Sequence, residues 1–181
     1  MSCGWTGRRL TFSLLSAIIE RGRDGFMNII YKKATLEDLD LLTQTRIEVL
    51  RAANKLGADV DMSIVESGSR EYYKRSLADG SHTAYLVFDG GVFVGAGAVS
   101  YYAVMPTYHN PTGLNAYIMN MYTRPDYRRR GIAMKTLELL ILDAKARGIR
   151  RISLDATDMG RPMYEKYGFV PMPCEMELPE Q

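Results

Sequence analysis

Tyr117–Ala133 reads YIMNMYTRPDYRRRGIA. The run from Asn115 to Thr123 is strand-like, and Ile132–Arg147 places Leu137, Leu140, Ile141 and Ala144 on one helical face before Gly148 stops it. Arg124–Tyr127 and Arg128-Arg129-Arg130-Gly131 therefore form a strand-to-helix corner. Amide N–H groups in a helix's first turn have no intrahelical partner, and the macrodipole adds positive potential there. Such a corner suits an anion. Gly131 and Ala133 keep bulky side chains away from the backbone that a phosphate must approach. An arginine cluster alone would serve equally as a solvated cap on a turn; the two small residues at this junction favour the anion site.

Outward from this corner, Ile29–Tyr31 reads as a first strand and Thr35-Leu36-Glu37-Asp38 as a helix start, with a hydroxyl cap and an acid three residues on. Leu39, Leu42, Arg46, Val49 and Ala53 recur at helical spacing, which predicts a helix over Leu36–Ala53. A second helix is expected over Asp61–Ala78, ended by Gly80, with Gly68 weakening its middle by about 1 kcal/mol. Thr83–Phe88 and Val92–Ala103 form a hairpin about Asp89-Gly90-Gly91, and Val104–Gly113 is a loop. Arg150–Ala156 is a strand, Arg161–Lys166 a short helix with Pro162 in its first turn, and Phe169–Glu177 a last strand. The order β-α-α-β-β-β-α-β-α-β is that of an α/β (α+β) domain around a mixed sheet.

The 181 residues, 46% hydrophobic and 24% charged, suit one folded domain rather than a disordered chain or a polytopic membrane protein. A net charge of +2 is too small to make nucleic acid the main partner. Cys3 and Cys174 lack CxxC spacing and His82 and His109 are isolated, so neither a metal site nor a disulfide framework is expected, and a reducing, cytoplasmic setting is.

Residues 1–26 stand apart. Leu10–Ile19, after Arg8-Arg9, is mostly apolar but too short to span about 30 Å of hydrocarbon. A signal peptide would continue into a small-residue cleavage site, and here Glu20, Arg21, Arg23 and Asp24 follow. The stretch holds four of the 23 basic residues and two of the 21 acidic ones, so the remainder is charge-neutral. Residues 1–26 are expected to be an extension outside the fold, and Met27–Gln181 the domain.

Two familiar phosphate motifs do not apply. There is no GxxxxGK[ST], and Gly95-Ala96-Gly97 lies inside a strand without a third glycine or a following helix.

Arg128-x-x-Gly131-x-Ala133 after a strand resembles the R/Q-x-x-G-x-G/A signature of the GNAT superfamily of acetyltransferases. Tyr164-Glu165-Lys166-Tyr167-Gly168-Phe169 is similar to that family's closing Y-E-K-x-G-F, and the likeness runs from about Ile29 to Phe169. The resemblance implies a mostly antiparallel central sheet flanked by helices, and transfer of an acetyl group from acetyl-CoA to a primary amine, most simply that of a small molecule. It implies a pyrophosphate on Arg128, Arg129, Arg130, Gly131, Ile132, Ala133 and Met134. It also implies a pantetheine arm paired with the backbone of Met121, Tyr122 and Thr123, where this strand splays from Arg150–Ala156. Tyr164 matches the tyrosine that protonates the departing thiolate, as a phenol protonated at neutral pH can. Packing at the end of the sheet is its alternative.

Departures are visible. Thr157 and Gly160 stand where many relatives carry Asn and Ala, and a threonine offers a pantetheine amide one donor instead of two. Asn120 stands in the strand where several carry a glutamate, so the base is unassigned. Glu48, Glu66 and Glu71 are candidates, each also readable as a solvated surface charge, and proton loss to water is an alternative. The resemblance implies an acceptor between residues 52–73 and 101–115, with Tyr102, Tyr108 and Asn120 as its contacts and Tyr101 and His109 nearby. These aromatics are equally readable as packing a loop. No nucleic acid or membrane partner is expected, and a homodimer is compatible with the sequence. Two rivals stand beside this reading: a non-catalytic acyl-CoA sensor, and a nucleic-acid binder using Arg124–Arg130.

Overall fold

The computed structural model describes residues 17–21 and 28–173, together with Met176 and Leu178. The elements are β1 (Ala17–Arg21), β2 (Asn28–Lys33), α1 (Leu39–Asn54), α2 (Ser63–Ala78), β3 (His82–Asp89), β4 (Val92–Ala103), β5 (Leu114–Thr123), α3 (Ile132–Ala146), β6 (Arg151–Leu154) and α4 (Arg161–Tyr167). Among the described residues they form one six-stranded sheet in the order β1-β2-β3-β4-β5-β6. Every pairing is antiparallel except β5 with β6.

β3 and β4 are buried over most of their length and read as nearly unbroken apolar runs, because helices cover both faces of the sheet. On one face Leu42 and Tyr73, from α1 and α2, pack against Leu86, Phe88 and Phe93. On the other, Leu137, Leu140 and Ile141 of α3 and Tyr164 of α4 pack against Val87, Val99 and Ile118. The small residues of β4 let α3 approach: a Cβ at Gly97 would stand 2.6 Å from both Met121 Sδ and Thr136 Cγ2. That packing explains the Gly95-Ala96-Gly97 run without any phosphate role.

The start of α1 follows the expected chemistry. A short 3-10 turn, Leu36–Asp38, precedes it, and the Asp38 carboxylate accepts the Thr35 N–H at 2.9 Å while pairing with Lys32 at 2.6 Å. α2 begins at Ser63 instead of Asp61, since the Asp61 carboxylate accepts the Ser63 N–H from ahead of the helix.

Two further stretches bear on the expected bounds. Ala17–Arg21, within the stretch expected outside the fold, pairs with β2 from Ala17↔Lys32 to Arg21↔Asn28. The closing strand Phe169–Glu177 is not formed over Phe169–Pro173; Cys174, Glu175 and Glu177 lie outside the described residues. Pro171 and Pro173 have no N–H to give a ladder. The chain instead turns at Gly168 (φ 115°), the Phe169 N–H donates to the Tyr164 carbonyl at 3.0 Å, and the Phe169 ring meets Tyr164 edge-on at 6.0 Å. Among the described residues no helix is long and apolar enough to cross a membrane.

Candidate active site

The parallel ladder between β5 and β6 runs from Asn115↔Arg151 to Ile118↔Leu154 and stops. β5 continues to Thr123 with β4 as its only strand neighbour among the described residues. A bulge marks the place: Ala98 pairs with Met119 but Ala96 with Tyr122, so two residues of β5 oppose Gly97. Asn120 occupies the extra position at φ 55°, a conformation asparagine tolerates better than most residues. The insertion reverses the alternation of side chains: Ile118 and Met121 face α3, while Met119 and Tyr122 face α1 and α2.

The backbone beyond the bulge offers an edge. The Arg124 N–H donates to the Val94 carbonyl, and a Cβ at Gly95 would stand 2.8 Å from the Tyr122 carbonyl oxygen, so these groups face β4. Strand alternation then turns the N–H and C=O of Met121 and Thr123 into the gap. Of the three backbones expected to pair with a ligand, Met121 and Thr123 present theirs to the gap and Tyr122 does not. The Thr123 carbonyl accepts Arg128 Nε at 3.2 Å, which clamps the following turn to the strand. Thr123 Oγ1 is buried without a partner among the described residues.

Past the strand, Pro125–Tyr127 makes a 3-10 turn, and Arg129 (φ 63°) and Gly131 (φ 82°) both take left-handed conformations to bring the chain into α3. Gly131 is the residue before the helix, and the Lys135 N–H is the one that reaches back to its carbonyl. The amides of Ile132, Ala133 and Met134 are thus the unpaired first-turn donors. A Cβ at Gly131 would meet no heavy atom within 4 Å, so the space over this turn is open to a ligand. Arg128, Arg129 and Arg130 are exposed around it, with the Arg130 guanidinium 5.1 Å from the Tyr127 ring centroid and donating to the Asp126 carbonyl.

Tyr164 is 7% exposed and lines a cavity of about 410 Å³ formed by residues 152–156, Arg161, Glu165 and residues 169–172. The Arg128–Ala133 turn does not line that cavity. Burial pushes the phenol's pKa up, so it stays a proton donor throughout the neutral range. Thr157 sits just ahead of α4, its hydroxyl oxygen accepting the Gly160 N–H at 3.2 Å, which leaves its O–H hydrogen as a donor. A Cβ at Gly160 would stand 3.1 Å from Tyr164 Cε2 and 3.3 Å from Thr157 Oγ1. A methyl there would need one of them to give by a few tenths of an ångström.

The expected acceptor contacts are scattered. Asn120 lies at the gap, its Oδ1 accepting Arg46 NH1 at 3.1 Å. Tyr102 is half-exposed on β4, four residues beyond Ala98 and so about 14 Å along the strand from the bulge. Tyr108 is 93% exposed on the loop, in contact with His109. Tyr101 is a packing residue: its hydroxyl donates to Thr83 Oγ1 and the Arg147 guanidinium lies 4.0 Å from its ring centroid.

Of the three candidate bases, Glu48 is the one brought to β5, where its Oε1 accepts the Tyr122 hydroxyl at 3.2 Å. Burial, then the Glu48 charge, raises the Tyr122 pKa. Residues that the sequence did not single out line the same face. His82 Nδ1 lies 3.1 Å from both the Tyr72 and Ser100 hydroxyls, and burial first, then Arg46, lowers the His82 pKa to about 4.

The sequence model of the acetyltransferase (GNAT) family matches residues 53–169. The chain belongs to that family. Among solved structures, a predicted acetyltransferase from Clostridium acetobutylicum, crystallised with acetyl-CoA, is 32% identical, with 83% of this chain and 96% of that one covered and a TM-score of 0.76. A GCN5-related N-acetyltransferase from Ralstonia eutropha JMP134 is 26% identical over 84% of this chain and 99% of its own, with a TM-score of 0.73. A glucosamine-6-phosphate N-acetyltransferase from Arabidopsis thaliana shares the fold at 15% identity, covering 85% and 99% with a TM-score of 0.64. A search of curated proteins finds no significant match. This GNAT chain thus joins the expected mixed sheet flanked by helices to an acetyltransferase family.

Proposed function

We propose that the protein transfers the acetyl group of acetyl-CoA to the primary amine of a small molecule. The observation that carries this reading is the unpaired edge of β5 beyond Ile118, leading directly into the open first turn of α3. A diphosphate on the amides of Ile132, Ala133 and Met134 meets unpaired donors and the positive end of the helix, with Arg128, Arg129 and Arg130 around the rim. An amide-bearing arm running back along β5 finds the N–H and C=O of Met121 and Thr123, as an added strand would. Thr157 supplies one hydroxyl donor.

The amine nitrogen attacks the thioester carbonyl carbon; the new C–N bond forms, the C–S bond breaks, and the sulfur leaves as a thiolate. Tyr164, protonated at neutral pH, donates its proton to that sulfur. Glu48 takes the proton the amine must lose, directly or through water. Asn120, which cannot accept a proton, holds Arg46 at the bulge instead.

Thiol release measured with acetyl-CoA and a panel of small amines tests the proposal. Turnover on at least one amine is expected, reduced about a hundredfold by Tyr164→Phe. Tight CoA binding without turnover on any amine would identify a sensor of the same fold.

A further inference from the structure

Arg46 lies in the buried stripe of α1, between Leu42 and Val49, yet it carries a charge. Its side chain is partly buried, and the bond to Asn120 Oδ1 accounts for one of its five N–H donors. Among the described residues no carboxylate lies within ion-pair distance of it, whereas Lys32 pairs with Asp38, Lys33 with Asp143 and Arg70 with Asp40. A partly buried guanidinium with donors to spare and no counter-ion among the described residues is placed to receive an anion from outside. The same face holds a second polar atom without a partner among the described residues, His82 Nε2. With His82 Nδ1 accepting from the Tyr72 or Ser100 hydroxyl, the ring proton sits on Nε2, which is buried and has no partner among the described residues. Arg46 is close enough to lower the His82 pKa. Asn120 fixes the guanidinium at the bulge, where the gap between β5 and β6 opens.

We infer that Arg46 binds an oxyanion carried by the acceptor, a carboxylate or a phosphate, so that the substrates are amines bearing a negative charge. The inference rests on the proposed acetyl transfer and narrows its acceptor. Arg46 forks two donors onto the anion, which turns the amine toward the gap. The planar fork favours groups with two coplanar or tetrahedral oxygens over a neutral amide or alcohol.

Initial rates with β-alanine against β-alaninamide, and phosphoethanolamine against ethanolamine, test this in the wild type, Arg46→Gln and Arg46→Lys, with CoA affinity measured separately by calorimetry. The wild type is expected to prefer the anionic member of at least one pair by about tenfold or more in kcat/KM. The pair that shows the preference names the oxyanion. Arg46→Gln should abolish the preference through KM, and Arg46→Lys, keeping the charge, should restore part of it. Equal rates on both members of each pair, or a preference unchanged in Arg46→Gln, would overturn the inference while leaving acetyl transfer intact. Failure to bind CoA or to turn over any amine would overturn the proposed function, and this inference with it.

Discussion

The Tyr122 hydroxyl donates to Glu48 Oε1 at 3.2 Å, and two residues away on each element Arg46 donates to Asn120 at 3.1 Å, so α1 is fastened twice to the bulged end of β5. Both contacts join residues 74 apart in sequence, and they set a carboxylate and a guanidinium beside the bulged end of β5. Replacing Glu48 with Gln keeps an acceptor for Tyr122 but removes the proposed base. We expect kcat to fall about a hundredfold at neutral pH. Because Glu48 is exposed, stability should move by less than about 0.5 kcal/mol in denaturant titration. An unchanged rate would assign the proton to water.

Gly131 and Gly148 form a matched pair. Both have positive φ, 82° and 74°, and a Cβ at either meets nothing within 4 Å. Alanine at each should cost about 1 kcal/mol through backbone strain. Only Gly131→Ala should also weaken CoA, by about tenfold, because the added methyl stands over amides that a phosphate approaches. Thermal denaturation and CoA calorimetry on the two variants separate strain from binding.

His82 makes stability pH-dependent. Burial, aided by Arg46, lowers its pKa from 6.5 to about 4, so between those values the unfolded chain binds more protons than the native one. Stability is therefore present above pH 6.5 and falls as the pH drops toward 4, by roughly 3 kcal/mol from this group alone. Denaturant titrations at pH 7 and 4.5 should show a smaller loss for His82→Gln than for the wild type.

The extension contributes β1, which among the described residues is an edge strand paired only with β2. Among the residues whose side chains are described, both apolar clusters fall within residues 29–169. We expect the chain from Met27 to Gln181 to fold cooperatively and keep its CoA affinity, with a modest loss of thermal stability. A truncated chain without a cooperative transition would make the extension part of the domain.

What the sequence revealed depended on the range of the chemistry. The Arg128–Ala133 corner and the Thr35–Asp38 cap are local, each readable from a few neighbouring residues. The opening between β5 and β6 is not, since it depends on where a ladder ends: β6 closes at Leu154, two residues before the expected Ala156. The lack of a strand over Phe169–Pro173 had a visible cause in Pro171 and Pro173, outweighed by the apolar run around them. Asn120 was legible as a strand residue but not as a bulge, because its conformation follows from register with β4. The Tyr72–His82–Ser100 cluster comes from three separate elements with no spacing to connect them. Arg46 did leave a signal: a charge at helical spacing with Leu42 and Val49 marks a cation on a buried face.

A CoA titration followed by backbone amide chemical shifts tests the central claim most directly. The account predicts saturable shifts that are largest at Ile132, Ala133 and Met134, continue at Met121 and Thr123, and are small on β1 and β2. Saturation with the largest shifts elsewhere, or no shift at all, would contradict it.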